Sequence, residues 1–403
     1  MTPLLRLAWR NLWRHKTRTG LLVLVVAYAT FMIAFLWSFN NGANDGAVRA
    51  NALYVSASVQ VSSRAWADDP DPTHALPNLD FLETLQHPQV SAFTLRLDFP
   101  ALVRSAYASE GVLVRGVDPA TEGRVSRLPT GVGEGRWIRG RGEAVLGYKL
   151  AERLDVRVGE RLVLDTAALA GPQAAGLRVV GLLRVYMPNL DESAVLISLE
   201  QARALTGVTT ATSVALSVPW GREAATAQAI QKRLPHDLQT SGIWDLLGAI
   251  RTDIELENQF VPLFGLLFGL VAAFAVTSAV LVSVIERTRE FGIIVAVGLS
   301  PRGLAVMVTL ESVLTTFLGW LLGLVVAYAL IGYMATHNVL GPIMRELIGA
   351  FPAAGLTSEI YPDPSPVYGL YATLTILLAA VFSILIPARR VLRLKPTEAM
   401  RMQ

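Results

Sequence analysis

A polar block of about 215 residues, 44–258, separates the first of four long apolar segments from the other three. A bilayer core of about 30 Å needs roughly 20 apolar residues per helix, and each of the four segments reaches that length. This 1+3 layout predicts one transmembrane helix, a large domain outside the membrane and three further transmembrane helices. It argues against a cytosolic enzyme. It also disfavours a channel or a secondary carrier, in which a large soluble domain does not usually follow the first helix.

The predicted fold class is an α-helical membrane protein with four transmembrane helices and an inserted α+β extracytoplasmic domain. The first apolar segment is predicted to remain as an anchor, because its run is too long for a signal peptide and no small-residue cleavage site precedes Asn40. The predicted boundaries are an N-terminal amphipathic helix over 1–19, transmembrane helices over 20–40, 259–285, 305–334 and 367–387, an outer domain with its stalks over 41–258, a cytoplasmic loop over 286–304, an outer loop over 335–366 and a cytoplasmic tail over 388–403.

Composition agrees with a chain that is only partly embedded. Hydrophobic residues make up 52% and charged residues 17%, with a mean hydropathy of +0.44. These values lie between those of soluble and of fully embedded proteins. The net charge of +3 is too small to indicate a nucleic-acid partner. The chain has no cysteine, which excludes disulfides and thiolate metal sites.

Basic residues cluster on one predicted side of the membrane. The loop between the third and fourth segments carries only Arg345 as a basic residue. The positive-inside rule therefore predicts that both termini are cytoplasmic, and that the large domain and the 335–366 loop are periplasmic or extracellular. The clusters are Arg6, Arg10, Arg14, Lys16 and Arg18 before the first segment, Arg287, Arg289 and Arg302 between the second and third, and Arg389, Arg390, Arg393, Lys395 and Arg401 after the fourth.

The residues before the first segment have the pattern of an amphipathic helix. Arg6, Arg10 and Arg14 lie opposite an apolar face, which predicts a helix lying in the cytoplasmic interface. An ordinary basic flank of an anchor is the alternative. The apolar face consists of Leu4, Leu5, Ala8, Trp9, Leu12 and Trp13.

The polar block alternates short β-rich runs with helices, which predicts a mixed α+β domain large enough for its own core. Ser198, with Gln201 three residues later and Gly207 at the end, predicts a short capped helix. A second helix is expected over 222–234. The expected strands are 54–61, 112–117, 144–147, 161–164, 177–186 and 194–197.

The end of the polar block is predicted to form a helix that enters the membrane. Helical periodicity runs over 243–257 through Trp244, Leu247, Ile250 and Ile254, and we expect no Gly or Pro break before Pro262. A rigid helix of this kind would transmit motion between the domain and the membrane. A juxtamembrane helix without a mechanical role is the alternative.

No motif for catalysis is present. The sequence has no Gly-x-x-x-x-Gly-Lys-[Ser/Thr] loop, no His-Glu-x-x-His and no Gly-x-Ser-x-Gly, so neither an ATPase site of its own nor a catalytic or metal site is predicted. A membrane-embedded enzyme is therefore disfavoured.

Five residues of the apolar segments stand out. Gly265 with Gly269, and Gly319 with Gly323, form Gly-x-x-x-Gly pairs that let helix backbones approach closely. Glu311 is an intramembrane carboxylate, which is costly without a partner. A structural or interfacial role is favoured for it over a proton relay, because no second membrane carboxylate or histidine lies nearby in the sequence.

The loop between the second and third apolar segments, ERTREFGIIVAVGLSPRGL at 286–304, predicts a short helix with one charged end followed by a turn. Such a helix is a candidate docking surface for a cytoplasmic partner. The candidate coupling residues are Glu286, Arg287, Arg289, Glu290, Phe291, Gly292, Gly298 and Pro301.

This loop resembles the signature that precedes the third transmembrane helix in FtsX/MacB-type ABC transporter permeases. Val295 stands where these permeases usually have Arg or Lys. The residues that match are Glu286, Arg287, Glu290, Gly292, Ile293, Ala296 and Gly298. Further resemblance lies in RLAWRNLWRHKTRT before the first segment, in VRGVDPATE and EAVLGYKLAERLDVRVGERLVL within the polar block, in Glu311 followed by Gly319 and Gly323, and in PARRVLRLKPTEAMR at the end.

The resemblance implies a permease subunit of the type VII, mechanotransmission class in a bacterial inner membrane. Such a subunit pairs with a second copy or a paralogue, binds an ABC ATPase dimer at the cytoplasmic loop, and contacts membrane lipid. ATP and Mg are then bound by the ATPase and not by this chain. The length and the lack of a fused ATPase resemble the lipoprotein-releasing permeases of the LolC/LolE type.

Two functions follow from the resemblance. The first is export or release of a lipoprotein or another amphiphile from the inner membrane, with or without a periplasmic adaptor. The second is FtsX-like signal transmission, without transport, that activates a periplasmic cell-wall hydrolase. The large outer domain favours the first.

Overall fold

A computed structural model of the chain describes residues 3–14, 16–169, 171–296, 299–343, 346 and 360–392. The chain divides into two compact units. The membrane unit comprises Met1–Ala43, Ile254–Val339 and Ile360–Gln403, and the α+β unit comprises Asn44–Asp253 and Leu340–Glu359. The predicted tail beyond residue 392 and residues 344, 345 and 347–359 of the 335–366 loop lie outside the described residues.

The described residues form α-helices in both units. In chain order these are α1 (Pro3–Arg14), α2 (Lys16–Asn51), α3 (Arg64–Asp68), α4 (Glu122–Val125), α5 (Tyr148–Leu154), α6 (Pro188–Asp191), α7 (Leu199–Thr206), α8 (Glu223–Gln231), α9 (Ile243–Leu246), α10 (Ala249–Glu286), α11 (Thr288–Ala296), α12 (Pro301–Thr336) and α13 (Pro366–Leu392). A π-helical segment, Ala52–Ser56, follows α2, and 3-10 turns occur at Pro72–His74, Asp80–Leu85 and Leu128–Gly131.

Within the described residues, four helices are long and apolar enough to cross a membrane, which together with the α+β unit confirms the predicted fold class. They are Lys16–Ser56, Ile250–Glu286, Pro301–Thr336 and Pro366–Leu385. Small buried residues lie where these spans meet: Ala29 and Ala34 of α2, Ala272 of α10, Ala327 of α12 and Ala372 of α13. Because lipid supplies no hydrophobic force between spans, close packing of this kind is what holds them together.

Polar contacts also join the spans. The Trp320 indole Nε1 donates to Thr373 Oγ1 at 2.9 Å, and Gly369 N donates to the Tyr328 hydroxyl at 2.9 Å. At the far end of α2, Ser38 Oγ donates to the carbonyl of Asp363 at 2.6 Å. These bonds connect α12 to α13 and the first span to the segment before α13.

The α+β unit is built on a ten-stranded sheet. The strands are β1 (Val59–Ser63), β2 (Ala92–Arg104), β3 (Ser109–Val117), β4 (Val132–Gly135), β5 (Glu143–Gly147), β6 (Arg161–Ala168), β7 (Gly171–Leu183), β8 (Val195–Ser198), β9 (Ser213–Ser217) and β10 (Leu238–Gly242). Their order is β10-β1-β9-β2-β3-β8-β5-β7-β4, and β6 pairs with both β2 and β7. The strands β2, β3, β8, β5, β7 and β6 are therefore paired in a closed ring.

The long strand β2 is shared by the ring and by the three-stranded extension β10-β1-β9. Its first residues, 92–96, pair with β9, and its last residues, 102–104, pair with β6. One core lies against the ring strands and includes Leu97 and Phe99. A second core, with Val61 and Leu216, lies against the extension. Strand β2 thus connects two cores.

The predicted capped helix is confirmed. The Ser198 hydroxyl accepts from Gln201 N at the start of α7, and Gly207, with a φ of 77°, ends it in the left-handed conformation. The strands β2, β4, β9 and β10 are additional to those expected from the sequence.

Two expectations about the ends of the polar block were wrong. The helix expected over 243–257 is broken, because Gly248 adopts a φ of 52° between α9 and α10. Glycine adopts a positive φ at no steric cost. It can therefore break the helix while the apolar residues on either side keep their helical spacing in the sequence. The strand expected over 54–61 begins only at Val59, because residues 52–56 continue the helical chain as a π-helical segment.

Candidate functional site

The predicted coupling loop contains α11, which follows α10 almost without interruption. Arg287 N donates to the carbonyl of Ser283 at 3.1 Å, and Phe291 N donates to the carbonyl of Arg287 at 2.9 Å. Pro301 occupies the first turn of α12, and the Ser300 hydroxyl caps that helix by accepting from Gly303 N at 3.1 Å. Proline at this position and serine at the cap are both typical of a helix start. The loop is thus held between two well-defined helix ends.

Three ion pairs tie this loop to three other helices of the membrane unit. Glu290 Oε1 lies 3.4 Å from Arg14 of α1. Glu286 Oε2 lies 3.4 Å from Arg18 of α2. Arg287 Nη1 lies 3.5 Å from Glu311 Oε2 of α12.

Arg287 is the centre of these ion pairs. We call the whole cluster the loop network, and it consists of Arg14, Arg18, Glu286, Arg287, Glu290 and Glu311. Its side chain is only 11% exposed and also contacts Glu290 Oε2 at 3.2 Å. The guanidinium lies 5.0 Å from the centre of the Phe291 ring, and Phe291 is 1% exposed. A largely buried cation of this kind is stabilised by its two carboxylates and by the aromatic face together.

A small cavity of about 40 Å³ lies beside Arg287 and Glu311. This volume is enough for water, which would find polar partners in both side chains and in Ser312. Exposed carboxylates line the outer side of the network, since Glu286 and Glu290 are 63% and 44% exposed. The network therefore has a buried half that faces the spans and an exposed half that a partner can reach.

The structure brings together most of the predicted coupling residues. Glu286, Arg287, Glu290 and Phe291 all belong to one cluster, and Glu311 joins them from α12. Arg289 and Gly292 lie within α11, and Gly298 lies outside the described residues. Glu311 has a cationic partner, Arg287, 24 positions earlier in the chain, and its structural role remains a prediction.

The predicted glycines differ in how closely they pack against neighbouring helices. A Cβ at Gly319 would lie 2.6 Å from Val26 Cβ, and one at Gly323 would lie 2.4 Å from the Ala27 carbonyl, so both face the first span. A Cβ at Gly269 would lie 2.7 Å from Thr375 of α13, whereas one at Gly265 would meet only ordinary contacts at 3.8 Å or more.

A second charged cluster, in the α+β unit, was not foreseen from the sequence. The Val55 carbonyl, in the π-helical segment after α2, accepts from Arg96 Nη1 at 2.7 Å and also from Arg115 Nη1. Arg96 in turn contacts Glu122 Oε1 at 2.6 Å, with both side chains at most 2% exposed. We call Val55, Arg96, Asp98, Arg115 and Glu122 the stalk clamp.

In the stalk clamp, ion pairs and hydrogen bonds offset the cost of burying charged groups. Burial raises the pKa of the Glu122 carboxyl, but the Arg96 guanidinium and the Ser126 hydroxyl outweigh it, so the pKa lies below its usual value. Arg115 is held by Asp98 through two bonds of 2.8 and 2.9 Å. The clamp thus binds two cations at the point where the first stalk enters the sheet.

One signal in the sequence could have indicated the clamp. Arg96 and Asp98 stand two positions apart within an apolar strand, and such residues share one face of a strand. Two charged residues on one face of a strand usually indicate that this face is exposed to solvent. Here that face is covered by α4 and the π-helical segment, and the sequence pattern did not predict that these elements pack there.

Comparison with known protein families matches nearly the whole chain. The MacB-like periplasmic core domain matches residues 19–234, and the FtsX-like permease C-terminal domain matches residues 262–396. The lipoprotein-releasing system transmembrane protein LolC of Neisseria meningitidis is 28% identical over 323 residues, which cover 75% of each chain.

Larger relatives are also similar. The macrolide export ATP-binding/permease protein MacB of Nitrosomonas europaea is 22% identical over 396 residues, which cover 89% of this chain and 56% of that protein. Among solved structures, the periplasmic region of MacB from Actinobacillus actinomycetemcomitans matches with a TM-score of 0.33 and 11% identity, covering 50% of this chain and 94% of that one. Since the MacB-like match alone spans more than half of the residues, the chain belongs to the FtsX/MacB-type family of ABC transporter permeases.

Proposed function

We propose that this chain is a permease subunit that converts ATP hydrolysis by a separate ATPase subunit into movement of its α+β unit. The loop network is the observation that carries the proposal. A partner seated on α11 would pull on α1, on the first span and on the third span at once, because ion pairs join the loop to each of them.

The stalk clamp supports the output end of this proposal. Helix α2 runs from Lys16 to Asn51, and the π-helical segment that follows it is bound to β2 and β3 through the Val55 carbonyl. A displacement of that helix end would act on β2, the strand shared by the two cores. At the second stalk, Gly248 allows a bend that a continuous helix would not.

The favoured cargo is a lipoprotein or another amphiphile taken from the inner membrane. The name of the Neisseria relative describes lipoprotein release, and that of the Nitrosomonas relative describes macrolide export. The unit that would handle cargo is large, which favours transport over signalling. FtsX-like activation of a cell-wall hydrolase is the second candidate.

The coupling proposal is tested with Glu290→Gln. This change removes the carboxylate that contacts both Arg14 and Arg287, while it keeps the shape of the side chain. With the ATPase subunit encoded nearest to this gene, we expect weaker co-purification or lower ATP turnover. Glu152→Gln, which alters an exposed carboxylate in α5 of the other unit, is the matched control.

Unchanged association and unchanged ATP turnover in Glu290→Gln would remove the loop network from the coupling pathway. The nature of the cargo needs a separate test. Recovery of acylated protein with the complex would support release, whereas recovery of a cell-wall hydrolase without acylated cargo would support signal transmission.

A further inference from the structure

A groove of about 540 Å³ in the membrane unit adjoins the loop network cavity, with which it shares Leu12 and Thr19. One wall is formed by α1 and the start of α2, and the other by α12. Its lining includes Trp9, Trp13, Lys16, Val23, Leu318 and Leu321. From Lys16 to Val23 the groove follows α2 for about 10 Å, at 1.5 Å per residue.

The lining is apolar along its length and cationic at one end. Lys16 is the charged residue among the lining side chains, and the Thr19 hydroxyl is occupied by a bond of 2.9 Å to the Leu12 carbonyl. Trp9 and Trp13 stand edge to face with ring centres 6.0 Å apart, and both are exposed. Tryptophan and lysine of this kind are found where a membrane protein meets lipid headgroups. A molecule that fits has an apolar body and an anionic end.

The local charge balance favours an anionic occupant. Residues 1–19 contain five basic residues and no acidic one. Arg14 and Arg18 are paired with Glu290 and Glu286. In the part of the chain that the structure describes, Arg6, Arg10 and Lys16 are exposed and have no acidic partner. Of these, Lys16 lines the groove, and a phosphate group beside it would supply the missing negative charge.

We propose that this groove binds an anionic phospholipid of the leaflet around α1, with its phosphate at Lys16 and an acyl chain against Val23, Leu318 and Leu321. The proposal goes beyond the coupling function and does not depend on it. A zwitterionic phospholipid would also place a phosphate at Lys16, but its own ammonium group compensates that charge, so it should bind less tightly. A helix from a second copy of the chain is a competing occupant.

Lipid retention on the full-length protein tests the proposal. Purified protein is titrated with phosphatidylglycerol or phosphatidylcholine in detergent, and bound lipids are counted by native mass spectrometry. We expect phosphatidylglycerol to bind more tightly. Lys16→Ala should weaken phosphatidylglycerol binding roughly five-fold, which is the effect of one basic residue near an anionic membrane surface. Lys16→Arg should keep the affinity.

Leu321→Trp should lower retention of phosphatidylglycerol by filling the groove. Leu374→Trp, at an exposed position of α13 outside the groove, is its matched control and should leave retention unchanged. Equal affinity for the two lipids, or unchanged phosphatidylglycerol binding in both Lys16→Ala and Leu321→Trp, would overturn the proposal. Cross-linking of Leu321→Cys to its own copy in membranes would instead identify the groove as a subunit interface.

Discussion

Replacement of Arg96 by Met should destabilise the α+β unit more than any exposed charge change on the same strand. Arg96 is 2% exposed and its partner Glu122 is fully buried, so the variant leaves an unpaired carboxylate inside the protein. Loss of one partner of a buried pair costs about 3–5 kcal/mol. The Val55 carbonyl would keep its bond from Arg115.

A double variant measures the coupling between Arg96 and Glu122 directly. Arg96→Met combined with Glu122→Leu removes both members of this buried pair, so the double variant should be more stable than Arg96→Met alone. The coupling free energy should therefore be several kcal/mol, in the range known for buried pairs. Arg104→Met is the matched control, since Arg104 also lies on β2 but pairs with Asp165 at the surface.

Urea unfolding of the full-length protein in detergent, followed by hydrogen exchange in peptides from β2 and β3, measures these differences. Exchange in the 52–57 segment should also rise in Arg96→Met, because the stalk end loses one of its two cationic donors. Costs near 1 kcal/mol that simply add in the double variant would refute the reasoning. The clamp would then be an ordinary solvated cluster.

Two further outcomes follow from the packing and from the titration of buried groups. Gly323→Ala should cost about 1–3 kcal/mol through overpacking against Ala27, while Gly332→Ala in the same helix meets no neighbour within 4 Å and should cost nothing; thermal unfolding of the two variants compares them. Burial raises the pKa of Asp191 to about 6 from its ordinary 3.8, outweighing the hydrogen bond that its carboxylate accepts from Val185 N. The folded state then holds this proton more tightly than the unfolded state, so the stability it contributes at low pH is lost as the pH rises from about 4 to about 6. Relative to wild type, Asp191→Asn should therefore gain on the order of 2 kcal/mol between pH 4 and pH 7, measured by urea unfolding at each pH; a constant difference would contradict the shifted pKa.

The membrane helices were predictable because their signal is the length of an apolar run, which tertiary packing does not alter. The helix α7 was predictable for a similar local reason, since the caps formed by Ser198 and Gly207 involve only residues a few positions away. Gly248 shows the limit of periodicity, because one glycine between two helices leaves the apolar pattern unchanged.

The two charged clusters were harder to predict, because their members are distant in the sequence. Glu311 lies in the third apolar segment, whereas its cationic partner, Arg287, lies in the preceding loop. The stalk clamp joins residues 55, 96 and 122 through the closed ring of strands, a topology that strand patterns alone do not define. For both clusters, the sequence shows which residue types are present, but only the fold brings them close together.

The central claim is that nucleotide on a separate ATPase moves the α+β unit. The chain contains no cysteine, so Tyr107→Cys and Tyr361→Cys, both at exposed positions, can carry spin labels in the two units without background labelling. The distance between them is measured by pulsed electron resonance in the complex with the ATPase. We expect a different distance distribution in the ATP-trapped complex than in the nucleotide-free one. An identical distribution in both states, in a complex that hydrolyses ATP, would contradict it.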